Sequence, residues 1–336
     1  MQIHCAFLAH TYRITKMGVS VISVFDFVSC FEKKTRFITE AAIGLRVSNE
    51  YGIVPDKSIQ NASLVYDAEG RRVLREIYGQ YLQVARAYDL PVILFTNTRR
   101  ANRDRVYASA FKDKNIMRDY ATFLREVAAD FTCQTFIGGY IGCKGDGYTG
   151  EGCLATEDAA AFHSWQVEAF EEADVDVIMA SLMPTLDESI GMAQALQKSR
   201  FPYLFSFMVR ENGTISDGTT IGNAIRAVDT AVDKKPLCYL SNCVHPRILL
   251  HALQQNDTPV VRERFKGIQA NAAYMPPEAL DKPSETVTST AQALADEMTA
   301  LNNEFPMQII GGCCGTDATH LRAFAHDICK AKGQYK

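Results

Sequence analysis

The sequence predicts a single (β/α)8 barrel. Eight short β-branched or aromatic runs lie along the chain, an amphipathic helical pattern follows each of them, and 336 residues suit one such barrel. A doubly wound sheet is the competing architecture, with its ligand placed where the strand order reverses.

The elements alternate from residue 35 onward. RFIT (36–39) reads as the first strand and RVLREIYGQYLQVARAYD (72–89) as the helix after it. PVILF (91–95) precedes the helical MRDYATFLREVAAD (117–130), and TCQTFI (132–137) precedes EDAAAFHSWQVEAFEEA (157–173). DVIMASL (176–182) leads to LDESIGMAQALQKS (186–199), and YLFSFMV (203–209) to TIGNAIRAVDTAV (220–232). LCYL (237–240) leads to PRILLHALQQN (246–256), which Pro246 opens. GIQANA (267–272) precedes ETVTSTAQALADEMTALNN (285–303), and QII (308–310) precedes DATHLRAFAHDICKA (317–331). The strand runs are short and the helical ones much longer, which separates the two types. There is no internal repeat, low-complexity stretch or linker, so one barrel domain spans 35–336 behind an N-terminal extension, 1–34. The loop 138–156 is the longest glycine-rich insertion, a kind of segment that is usually functional or mobile.

Composition narrows the function. With 47% hydrophobic and 22% charged residues the chain is ordinarily globular. A net charge of −4 leaves no basic excess for a phosphate backbone, which argues against nucleic acid as a partner. Residues 17–31 are apolar but interrupted by Asp26, and fall short of the roughly 20 residues of a membrane span. They lack the basic start and small-residue cleavage site of a signal peptide, so a cytoplasmic protein is expected and the run reads as an extra strand or a loose extension. Homo-oligomerisation is left open. The ten cysteines are many for a cytoplasmic chain, but a disulfide framework belongs to short exported chains, so most are expected to be reduced and to act as small core residues.

In a (β/α)8 barrel the chemistry sits at the C-terminal ends of the strands. After QII comes Gly311-Gly312-Cys313-Cys314-Gly315-Thr316-Asp317, and after LCYL comes Ser241-Asn242-Cys243-Val244-His245-Pro246. These loops follow strands six and eight and can converge over the barrel mouth. Three cysteinates and an open fourth position fit catalytic Zn²⁺. The competing reading is a reduced Cys-Cys pair in a strand-to-helix turn, with Gly311 and Gly312 there for tight packing.

These residues carry a resemblance. GGCCGT near the C-terminus, with Asn242-Cys243 after an earlier strand, resembles the homocysteine S-methyltransferase family over about residues 36–331. Thr96-Asn97-Thr98, Tyr148-Thr149-Gly150, Ser206-Phe207 and Asp217-Gly218-Thr219 are similar to family segments in the same order. The resemblance implies a (β/α)8 barrel with Zn²⁺ on Cys243, Cys313 and Cys314. It also implies methyl transfer to a thiol, typically homocysteine giving methionine. The implied substrate-facing residues are Glu40, Asn97, Tyr148, Ser181 and Asn242. Two of these depart from the family: Glu40-Ala41 stands where it carries Asp-Gly, and Ser181 where it carries a Glu expected to hold the substrate ammonium. The partners implied are a small thiol acceptor and a small activated donor, such as S-methylmethionine, S-adenosylmethionine or a betaine. A zinc-thiolate barrel that binds or senses a thiol without methyl transfer, and a methyl-corrinoid-dependent subunit, are the alternatives.

Other signals weigh less. Gly145, Gly147 and Gly150 fit G-x-G-x-x-G, but no helix opens directly there. His245 reads as a capping residue rather than a ligand. Cys133, Cys143 and Cys153 read as ordinary reduced thiols. Tyr140, Tyr148, Phe207 and Tyr274 fall near strand ends, where aromatic faces attract onium methyl groups.

Overall fold

The computed structural model describes residues 26–276 and 289–331. Eight parallel strands close a barrel in sequence order, with β8 beside β1 and Phe37 opposite Ile309. The strands are β1 (Phe37–Thr39), β2 (Val92–Phe95), β3 (Thr135–Gly142), β4 (Val177–Met183), β5 (Tyr203–Phe207), β6 (Tyr239–Val244), β7 (Phe265–Ala270) and β8 (Ile309–Gly312). Almost every strand residue is buried, because helices cover the outside while side chains fill the inside. That is why each strand is a continuous apolar run in the sequence.

The helices in order are α1 (Phe27–Glu32), α2 (Gly44–Tyr51), α3 (Ala68–Ala87), α4 (Arg103–Tyr107), α5 (Ile116–Ala128), α6 (Thr156–Phe170), α7 (Leu186–Leu196), α8 (Ile221–Ala231), α9 (Pro246–Gln255), α10 (Pro259–Arg264), α11 (Ala291–Glu304) and α12 (Ala318–Ala331). All eight expected βα units are present. The first four residues expected in α11, 285–288, lie outside the described residues.

Three details differ from the sequence reading. Residues 27–32 form a helix, neither strand nor loose chain. Asp26, which breaks the apolar run, is its N-cap and accepts from the Ser29 N–H at 2.8 Å. The ring of Phe27 then sits 5.2 Å from Phe37 and 5.3 Å from Phe136, and α1 closes the N-terminal floor of the barrel. Second, β3 runs on through Gly142. The glycines at 138 and 139 make room inside the sheet: a Cβ at Gly138 would lie 2.3 Å from the Phe95 ring, and one at Gly139 2.7 Å from Phe170. The loop therefore begins at Cys143, and its helix starts only at Thr156, which leaves the G-x-G-x-x-G match without a helix to open. Third, the β1–α3 connection contains α2 and a 3-10 turn at Asn61–Tyr66, which wall one side of the barrel mouth.

Among the described residues, no helix is long and apolar enough to cross a membrane.

Candidate active site

The interior of the barrel changes character along its axis. Phe37, Ile93, Phe136, Val177, Met179, Leu204 and Ile309 pack at the N-terminal end with Phe27. Toward the C-terminal end the inward residues are polar and hydrogen-bonded to one another across the strands. The Thr39 hydroxyl donates to its neighbour's carbonyl, Glu40 O, at 3.0 Å, and accepts from Gln269 Nε2 at 3.0 Å. Gln269 Oε1 accepts from the Tyr140 hydroxyl at 3.0 Å. Tyr140 in turn accepts from Asn242 Nδ2 at 2.9 Å, and the same Nδ2 donates to Ser181 Oγ at 3.1 Å. Asn242 Oδ1 accepts from the Leu182 N–H at 3.2 Å and from the Ser206 hydroxyl. Asn242 thus uses both donors and both acceptor sites, and ties β3, β4, β5 and β6 together.

Two strands break register at this level. β4 shifts against β5 between Ala180 and Met183, and β6 shifts against β7 between Asn242 and Val244. The residues inside those irregularities, Leu182 and Cys243, have φ of 52° and 61°. A side chain other than glycine in this region costs roughly 1 kcal/mol or more, and such strain concentrates at functional sites. The bulge re-aims Cys243 toward the mouth.

There it meets the β8 loop. Cys243 Sγ lies 3.4 Å from Cys314 Sγ, and Cys313 Sγ lies 3.9 Å from Cys314 Sγ. All three sulfurs fall within 4.8 Å of one another, the only group of three or more such ligand atoms among the described residues. The glycines before the pair serve close approach: a Cβ at Gly311 would lie 1.8 Å from Thr39 Oγ1, and one at Gly312 2.2 Å from Thr316 Oγ1. Positive φ occurs only after the pair, at Gly315 (75°). The Tyr148 hydroxyl is 3.2 Å from Cys243 Sγ, and Asn271 Nδ2 donates to the same sulfur at 3.6 Å. Hydrogen bonds from the Cys313 and Cys314 thiols hold the Cys243 thiol well below its usual pKa. Giving those bonds pushes the other two up.

The spacing fits zinc. Tetrahedral bonds of about 2.3 Å place two sulfurs about 3.8 Å apart, in the range observed. Three soft thiolates favour Zn²⁺ over Mg²⁺ or Ca²⁺.

The cysteines open onto a cavity of about 500 Å³ that Glu40, Asn97, Arg99, Tyr140, Tyr148 and Asn242 also line. Glu40 is buried, its Oε2 accepts from the Phe95 N–H at 3.0 Å, and burial pushes its carboxyl up to about 8. Asn97 Nδ2 donates to the Tyr78 and Tyr120 hydroxyls, both at 2.8 Å. Ser181 is fully buried behind Asn242 and is not among the residues lining the cavity. Of the aromatic candidates, Tyr140 and Tyr148 face the cavity. Phe207 instead stacks on Tyr239 in the core at 5.3 Å, and Tyr274 lies against His245 outside it. His245 is the N-cap of α9, its Nδ1 accepting from the Arg247 N–H at 3.3 Å. Cys143 and Cys153 meet at the start and end of the β3 loop, Cys133 bonds to Leu82 O instead, and no disulfide joins any cysteine among the described residues.

The sequence reading missed Arg99, Gln269 and Leu182. Arg99 directly follows Thr96-Asn97-Thr98, and its place next to a strand end was the available signal.

A sequence profile described as homocysteine S-methyltransferase matches residues 37–328. The chain belongs to the homocysteine S-methyltransferase family. Its fold is similar to that of the homocysteine methyltransferase MmuM from Escherichia coli. The oxidised form of that protein superposes with a TM-score of 0.69 at 19% identity, covering 89% of this chain and 96% of that one. The metallated form gives 0.69 at 18% identity, over 89% and 98%. At such identity the likeness concerns the fold alone. A search of curated protein sequences found no match.

Proposed function

We propose that this family member is a zinc-dependent thiol S-methyltransferase. It would take a methyl group from a small activated donor, such as S-methylmethionine, S-adenosylmethionine or a betaine. The leading acceptor is homocysteine, giving methionine. The observation that carries the reading is the convergence of Cys243, Cys313 and Cys314 at the cavity with sulfur separations suited to one tetrahedral ion.

Zinc bound to the three cysteines would hold the acceptor sulfur as thiolate at neutral pH, where a free thiol is only slightly ionised. The protein's own groups do the rest. Tyr148 would donate to Cys243 Sγ as thiolate and Asn271 Nδ2 donates to the same sulfur, which orients this ligand. Asn242 accepts from the Leu182 N–H and so fixes Leu182 beside the irregularity in β6 that contains Cys243. The faces of Tyr140 and Tyr148 suit an onium methyl group through cation–π attraction. Transfer then forms the acceptor S–CH₃ bond as the donor's bond to that methyl breaks, and the donor leaves as a neutral sulfide or amine. Reduced thiols at the site fit a cytoplasmic location.

The test supplies each donor with homocysteine to protein purified without chelator. The expected result is methionine formation with about one zinc per chain. Zinc without methyl transfer from any donor would leave a thiol-binding barrel, and activity only with a methyl-corrinoid protein would leave a corrinoid partner. A metal-free protein that still methylates thiols would overturn the mechanism.

A further inference from the structure

The cavity that opens onto the three cysteines contains a cation with no hydrogen-bond or ion-pair partner among the described residues. Arg99 lines it, half-buried, and no described residue accepts a hydrogen bond or forms an ion pair with its guanidinium. The position is built. The stem of Arg99 crosses β3 where there is no side chain, and a Cβ at Gly142 would lie 2.5 Å from Arg99 Cγ. The guanidinium is within electrostatic reach of Cys143, Tyr148, Tyr140 and Cys243, the last of these one of the three clustered cysteines. A guanidinium offers five donors in a planar fork that matches a carboxylate, and leaving such a charge unpaired in a partly buried site is costly.

Each described acid that lines the cavity has one carboxylate oxygen engaged. Asp56 Oδ1 accepts from the Ser58 and Ile59 N–H groups, both at 2.8 Å. Glu40 is buried, with Oε2 held by the Phe95 N–H. Ser181, the third position from which a negative group might have faced the ligand, is a hydroxyl behind Asn242. Among the described residues that line the cavity, Arg99 is the half-buried cation within reach of the cysteines, and Lys57 is a second, exposed one.

We infer that the methyl acceptor is a short-chain thiol acid whose carboxylate is held by Arg99, and that an ammonium group is not what this site reads. The inference rests on the thiol methyltransferase reading and narrows its substrate class. Homocysteine satisfies it through its carboxylate, and so does a mercapto acid without the amine. The sulfur end goes to the cysteines and the anionic end to Arg99, so both termini of the acceptor are fixed and the methyl donor takes the remaining space beside Tyr148.

The experiment compares three acceptors on zinc-loaded protein: homocysteine, 4-mercaptobutyrate, which lacks the amine, and 3-aminopropane-1-thiol, which lacks the carboxylate. A charge-assisted contact corresponds to roughly ten- to a hundred-fold in affinity. The expected kcat/KM for 4-mercaptobutyrate is within about three-fold of that for homocysteine, and that for the amine is lower by about thirty-fold. Arg99→Met should collapse the ratio of acid to amine, and Arg99→Lys should restore part of it. 3-Mercaptopropane-1-sulfonate shows whether the site accepts a compact anion in general or a carboxylate only. Calorimetry with 4-(methylthio)butyrate, the methylated product, reads the anion contact without turnover and should lose binding in Arg99→Met.

An amine as good as the acid in the wild type would overturn the inference while the methyltransferase reading stood. So would an acid-to-amine ratio unchanged by Arg99→Met alongside weaker zinc binding, since Arg99 would then be only a counter-ion for the thiolates. Arg99-dependent binding of the thioether acid with no methylation of any thiol would uphold anion recognition and sink the methyltransferase reading.

Discussion

The two ends of the barrel interior are built from different materials. At the N-terminal end, Phe27, Phe37 and Phe136 form a cluster of tilted and edge-on rings that makes no use of hydrogen bonds. At the C-terminal end, Thr39, Gln269, Tyr140, Asn242, Ser181 and Ser206 are joined by hydrogen bonds, and two backbone positions are strained. Apolar packing is nondirectional and needs only volume, so the floor supplies stability. A polar chain needs each partner in place, so the mouth holds positions at the cost of stability. The difference teaches that α1 and the cysteine site, at opposite ends of one core, can be perturbed separately.

The largest effect that would break this separation is at the site itself. Cys243→Ser, and likewise the change at Cys313 or Cys314, should abolish methyl transfer and lower zinc content well below one per chain. Thermal melting should show the fold intact. A collapse of the melting transition would mean that the mouth, and not the floor, carries stability. Elemental analysis and a methionine assay decide it.

Phe27→Ala tests the other end. Removing a fully buried aromatic ring costs about 3–5 kcal/mol. Urea unfolding should show that loss while zinc affinity stays unchanged. A weakened zinc site would show that the two ends communicate.

Glu40→Gln probes the boundary between them through pH. Burial raises the carboxyl from 4.5 to about 8, so the folded protein keeps a proton that the unfolded chain releases. The stability associated with that proton is fully present below about 4.5 and is lost as pH rises through about 8. The glutamine carries no such charge. Its stability relative to wild type should therefore increase between these limits and level off above them. Chemical denaturation at a series of pH values checks the slope, and a flat difference would mean that Glu40 is hydrated in the folded protein.

Tyr148→Phe should give the smallest change. It removes one hydrogen bond to Cys243 Sγ, about 0.5–1.5 kcal/mol, or roughly two- to ten-fold in zinc affinity measured by competition with a chelator.

The chain itself determined the eight strands, their order and the rim on which chemistry sits. Parallel barrel strands are buried on both faces and appear as unbroken apolar runs, and GGCC after the last of them marks a candidate ligand set beside the plainer reading of a reduced pair in a tight turn. It also determined the cap at His245, because a polar residue before Pro246 has a local role. The register was beyond its reach. Whether Cys243 faces the mouth depends on a bulge between β6 and β7, and whether Ser181 reaches the cavity depends on Asn242 lying in front of it. The floor helix was hidden because Asp26 looked like an interruption, when its partner was the amide at Ser29 and the reason for the helix was the Phe37 and Phe136 rings. Burial frequency is written along a sequence. The offset between two strands, and the choice of which polar group stands in front of another, arise only when residues distant in the chain meet.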